Sequence, residues 1–83
     1  MKEEVISERI RRFLIRQFPT TKNVSNDESL LKNGLIDSLG ILEVVAFLEN
    51  EFCIAVSDDD LLPENFSSVQ SITDFVQAKA NNV

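Results

Sequence analysis

Few side chains in this sequence have the reactivity to take part in chemistry, and Ser38 is distinguished by its place. It lies in Gly34-Leu35-Ile36-Asp37-Ser38-Leu39, directly ahead of a run from Leu39 to Phe52 that has no Pro and a single Gly, Gly40. Such a run predicts a helix starting at or near Ser38, so the hydroxyl falls among unpaired N–H groups at the positive end of a helix dipole. Two roles suit that place. Ser38 or Asp37 can serve as a plain N-cap, and an exposed oxygen there can hold an anionic group that the helix end stabilises. Cys53 is the one thiol and the chain has no His. Ser/His/Asp triads, Cys/His dyads and His-based zinc sites therefore lack their residues, and Asp37 is no general base near neutral pH without a large pKa shift. These residues predict neither an enzyme nor a metal site, and any catalyst would come from another protein.

The elements that must position Ser38 follow from spacing. Ile6, Ile10, Phe13, Leu14 and Phe18 recur at three or four residues, which predicts a first helix from Glu3 to Phe18 that Pro19 stops, with its Arg residues on a solvated face. Thr20 to Gly34 sustains no helical stripe and reads as a long loop pinned to the core by Leu30 and Leu31. At about 100° per residue, the second helix sets Ser38, Leu39, Leu42, Glu43, Ala46, Glu49 and Asn50 on one face. Ile41, Val44, Val45, Phe47, Leu48 and Phe52 turn the other way as a core face, where Glu51 falls without an evident reason. Ile54 to Val56 reads as extended and the stretch through Phe66 as a short third helix or turn. Ser67 with Gln70 has the form of a capping box opening a last helix to Ala80, with residues 81–83 frayed. Cys53 reads first as a small apolar filler, and a left-handed helix end at this position would cost it a little strain. Gly40 weakens its helix, for the close approach of a partner or simply because a helix start tolerates it.

Composition bounds the rest. With 83 residues, 43% of them hydrophobic and 27% charged, one domain spanning 1–83 with a single thin core is expected. The net charge of −6 is uneven, because no basic residue lies between Lys32 and Lys79 while acids crowd that interval. Such a field repels phosphate backbones and favours basic protein surfaces, so nucleic acid is not an expected partner. No apolar run approaches the roughly 20 residues that span a bilayer, and Met1 to Ile10 has no basic segment followed by an apolar one. A cytoplasmic chain without membrane contact is expected, monomeric because its main apolar face is used internally.

The segment Gly34-Leu35-Ile36-Asp37-Ser38-Leu39 resembles the attachment motif of acyl and peptidyl carrier proteins, whose Asp-Ser-Leu triplet opens the second helix. The resemblance extends to the first helix and long loop, to Leu48-Glu49 and Phe52, to the acidic turn, and to Ser67-Ser68-Val69-Gln70. It implies an all-α four-helix bundle with a long loop between helices one and two and a short third helix. It also implies that a phosphopantetheinyl transferase moves the 4'-phosphopantetheine of coenzyme A onto Ser38, and that an acyl group then rides on the arm's thiol as a thioester. A free-standing acyl carrier of fatty-acid, polyketide or related biosynthesis is the expectation. Its partners would be a loading ligase or acyltransferase and the downstream synthase enzymes. An aminoacyl or peptidyl carrier of a nonribosomal-peptide-like pathway is the alternative within this class, and an unmodified acidic helical adaptor the alternative outside it. For docking, Asp37, Glu43 and Glu49 would meet basic residues while Leu39, Leu42 and Ala46 fill apolar hollows. Ile36, Val45, Phe47, Ile54 and Leu62 would line a cavity for an acyl chain, or else form ordinary core.

Overall fold

The computed structural model describes residues 5–81 and folds them into three α-helices joined by two irregular connections: α1 (Ile6–Gln17), α2 (Ser38–Phe52) and α3 (Val69–Asn81). The expected all-α class holds. Residues Glu3 and Glu4 of the expected first helix, and Asn82 and Val83 of the expected frayed end, lie outside the described residues, and α3 continues through Asn81. In α1 the apolar stripe does as its spacing demands: Ile10 and Leu14 are fully buried, with Ile6 and Phe13 packed at the margin. Pro19 disfavours helical backbone at Phe18, whose φ of −133° and ψ of 81° end the helix before a single 3-10 turn, Pro19–Thr21.

The long connection from Lys22 to Asp37 has structure of its own. Val24 and Leu30 are buried, whereas Leu31 stays half-exposed. Leu30 ties the loop across the fold: its N–H donates to the Ser67 carbonyl at 2.7 Å, and its carbonyl accepts from Leu35 at 2.9 Å. Arg11 corrects the view of the α1 arginines as solvated, since it donates to the Val24 carbonyl at 2.7 Å and to the Asn26 side chain. Gly34, with φ of 71°, makes the left-handed turn that redirects the chain into α2.

Two features of α2 are settled at its far end. Glu51 reaches off the edge of the core face to pair with Arg9, whose guanidinium carbon lies 4.9 Å from the Phe52 ring centroid. Cys53 caps the helix in the left-handed conformation, φ 56° and ψ 44°. It is exposed, however, and so fills no gap in the core. An L-residue there costs about 1–2 kcal/mol, offset in Gly by about 0.5–1 kcal/mol of unfolded-chain entropy. Cys53→Gly should therefore raise stability by roughly 0.5–1 kcal/mol, read as a higher urea midpoint with an unchanged slope.

The short third helix is not formed as an α-helix. Its place is taken by two one-turn 3-10 segments, Asp58–Asp60 and Pro63–Asn65. Pro63 forces Leu62 to extended backbone, φ −101° and ψ 140°, and the residues on either side are too few to repay α-helix nucleation. The capping box also sits elsewhere than expected. Ser68 accepts the Ser71 N–H at 3.1 Å and starts α3, while the Gln70 side chain donates to Asp74 at 3.0 Å. Ser67 is occupied by Leu30 through its carbonyl and by Ser71 through its hydroxyl. Behind this start, Val69, Ile72, Phe75 and Val76 close the core against Ile10, Leu14, Val44 and Leu48.

Candidate functional site

Asp37, not Ser38, caps α2. Its backbone is extended, and its Oδ1 accepts the Gly40 N–H at 2.8 Å. Ser38 is thereby left as the first helical residue, exposed, its hydroxyl without a partner among the described residues. The amides of Ser38 and Leu39 belong to the helix's first turn and have no intrahelical acceptor, so the hydroxyl stands beside open donors and positive partial charge.

What holds this helix end in place is a glycine. A Cβ on Gly40 would stand 2.6 Å from Cγ2 of buried Ile36 and 3.2 Å from the Phe18 ring. Beside the close approach of a partner or of an arm, and beside simple tolerance, the residue has an internal reason: α2 lies directly on its own loop and on the end of α1. Gly40→Ala gains about 1 kcal/mol of helix propensity but overpacks a site that normally loses about 1–3 kcal/mol. A net loss of up to about 2 kcal/mol by urea titration is expected, and a gain would show that Ile36 and Phe18 move aside freely.

Ser38 sits on the rim of a groove of about 230 Å³ that Leu31, Ile41, Leu42, Leu61, Leu62, Pro63 and Phe66 also line. Its walls are apolar and Ser38 is the polar group at its mouth. Of the residues expected to line a cavity, Leu62 alone does so here; Ile36 is buried and Phe47 borders a second groove. That groove, about 480 Å³, runs between α1 and α2 past Phe13, Arg16, Gln17, Glu43, Ala46 and Asn50. Phe13 and Phe47 stack there with centroids 4.1 Å apart. Leu31, Ile41, Leu61, Pro63 and Phe66 were not legible as groove residues. The available signal was the Leu61-Leu62 pair, apolar and next to Pro63 in an otherwise acidic stretch.

The expected docking residues share the exposed side of α2, where Leu39 is 71% and Leu42 56% exposed and Glu43, Ala46 and Glu49 follow. Each acid also has an internal contact. Asp37 caps the helix, Glu43 accepts from Gln17 at 3.3 Å, and Glu49 accepts the Val56 N–H at 2.9 Å. Glu49 thus anchors the chain after α2, and reversing its charge would disturb that turn. Among the described residues no group of His, Cys, Asp and Glu is placed to hold a metal ion, and no helix is long and apolar enough to cross a membrane.

No protein-family model matches the chain. Individual proteins do: it is 36% identical over 73 residues to the acyl carrier protein of Buchnera aphidicola subsp. Baizongia pistaciae, covering 87% of this chain and 91% of the relative. An acyl carrier protein homolog of Mycoplasmopsis pulmonis is 38% identical over 72 residues, 86% of this chain and 96% of that protein. Among solved structures, apo KstB-PCP superposes with a TM-score of 0.73 at 40% identity, over 89% of this chain and 85% of its own.

Proposed function

The chain belongs to the acyl carrier protein family, whose members are carriers without catalysis of their own, and from that premise we propose that Ser38 takes a 4'-phosphopantetheine arm from coenzyme A. The observation that carries this reading is the division of roles at the start of α2: Asp37 does the capping, so the Ser38 oxygen is exposed and unengaged. The residues present fit the group. Open amides and the helix dipole offset the negative charge of a phosphodiester there by about 0.3–1 kcal/mol. The arm, when attached, supplies the thiol on which cargo is held as a thioester.

The chain's own residues then divide the remaining work. The apolar groove beside Ser38 shelters the near part of an acyl cargo, and this favours an acyl group of fatty-acid or polyketide type. The likeness to KstB-PCP at 40% identity supports an aminoacyl or peptidyl cargo as the second reading. Leu39, Leu42 and Ala46 form the apolar centre of the surface offered to the transferase, the loading enzyme and the synthase enzymes, with Asp37, Glu43 and Glu49 as its acidic rim. Glu43→Lys, which spares the Glu49 anchor, should slow arm transfer by a basic-faced transferase roughly fivefold at low ionic strength and much less at 0.5 M salt. An equal rate at low salt would remove Glu43 from the docking surface.

The direct test is intact mass after incubation with coenzyme A, magnesium and a broad-specificity transferase. One arm per chain is expected. A folded chain that gains no mass while a control carrier does would overturn the proposal in favour of an unmodified acidic adaptor.

A further inference from the structure

The outer wall of the groove beside Ser38 is made by Leu61, Leu62 and Pro63, in the segment that forms two 3-10 turns in place of a short α-helix. Short 3-10 turns have poorer hydrogen-bond geometry than α-helices, and such segments open at low free energy. Leu61 and Leu62 are both exposed, so apolar burial holds them only in part; the nearest deep anchor is Phe66. Between residues 57 and 66, nearly all hydrogen bonds stay within the segment. Leu61 donates to Asp58, Leu62 to Asp60, Asn65 to Leu62 and Phe66 to Pro63. Among the described residues, one polar tie reaches out to a helix: the Asp60 carboxylate, 2.6 Å from the Lys79 ammonium in the last turns of α3.

Asp60 is the junction on which that tie acts. The carboxylate oxygen that meets Lys79 also accepts the Ser57 N–H at 3.1 Å and its hydroxyl at 3.0 Å. Its carbonyl accepts the Asn65 side chain and the Leu62 N–H, each at 2.8 Å, so the turns on both sides of the wall are gathered at one residue. Lys79, and after it the Ser57 N–H, hold the Asp60 carboxyl below the usual carboxylate range. Lys79 in turn lies 5.8 Å from the Phe75 ring centroid, and Phe75 packs on Phe66 at 5.4 Å.

We propose that the Asp60–Lys79 pair is a latch that holds Leu61, Leu62 and Pro63 in place as the wall of the groove, and so sets how well the groove shields an apolar cargo borne on Ser38. The cargo half rests on the reading of Ser38 as the attachment site; the latch itself does not. Asp60 and Lys79 are positioning residues, acting through the wall and touching no cargo.

The test compares Lys79→Gln, which removes the cation, with Lys79→Arg, which keeps it. Amide hydrogen exchange at Leu61, Leu62, Asn65 and Phe66 should be roughly fivefold faster in Lys79→Gln and close to the parent in Lys79→Arg, with Val44 and Leu48 in α2 unchanged in both. On chains enzymatically loaded with octanoyl-phosphopantetheine, hydroxylamine should cleave the thioester several-fold faster in Lys79→Gln, while an acetyl thioester, too short to lie in the groove, is cleaved at the parent rate. Unchanged exchange in Lys79→Gln overturns the latch, as does equal acceleration in α2. Faster exchange with unchanged octanoyl cleavage overturns the cargo half alone. If Ser38 takes no arm, the carrier reading fails, and the exchange result still decides the latch.

Discussion

Ser38→Ala is expected to abolish arm transfer from coenzyme A completely while leaving the fold and its stability nearly unchanged. The second half of that expectation is what the structure adds. A serine that capped α2 would cost about 0.5–2 kcal/mol when replaced by Ala. Here the cap is Asp37 Oδ1 on the Gly40 N–H, and the Ser38 hydroxyl bonds to no described residue. Ala at the first helical position is also a good helix former, so a change within about 0.5 kcal/mol is expected. Asp37→Ala is the complement: it should lose about 1 kcal/mol of stability and still accept the arm, more slowly if Asp37 also meets the transferase. Intact mass and urea titration on the two variants separate the roles. A Ser38→Ala chain that still gained mass would move the attachment elsewhere, and one that lost more than 1 kcal/mol would return the capping role to Ser38.

Phe66→Ala carries the largest expected effect on stability. Phe66 is 1% exposed, packs on Phe75, and forms the floor of the groove beside Ser38. Truncating a buried Phe costs about 3–5 kcal/mol, a large share of the roughly 5–15 kcal/mol that hold a domain together. The melting temperature should fall by about 12 °C or more. Leu62→Ala, at the exposed rim of the same groove, should cost well under 1 kcal/mol. A small loss at Phe66 would mean that the groove collapses to fill the space, which the octanoyl shielding assay would register as an exposed thioester.

The contrast between these residues marks what could be read from the chain alone. Helix α1 was legible because Ile6, Ile10, Phe13 and Leu14 keep a period that one helix face requires. The exposed place of Ser38 at the start of α2 was legible because a helix start is a local property of Asp37-Ser38-Leu39 and the run that follows. Cys53 reads first as a filler and is instead the exposed left-handed end of α2, a position set by where the helix stops rather than by the side chain. The residues between Ser57 and Phe66 left a short third helix or a turn open, the family pattern implied the helix, and the extended backbone that Pro63 imposes on its predecessor decides for turns. The cap of α3 fell to Ser68 because tertiary bonds to Leu30 and Ser71 engage Ser67. Gly40 and the groove depend on which segments approach in space: the glycine on Phe18 and Ile36, the groove on Leu31, α2 and the 61–66 stretch together. No local pattern encodes either.

The contact at Gly40 has a consequence for transport. Because α2 lies on Phe18 and Ile36 without an intervening side chain, the arm proposed for Ser38 would be rooted on a closely packed first turn. Cargo on such an arm would explore a volume set by the arm's own reach, so the concentration a bound enzyme experienced would depend on tether length and on where that enzyme docks. A Gly40→Ala chain in which α2 were displaced would shift the centre of that volume, alongside the loss of stability expected of the same variant.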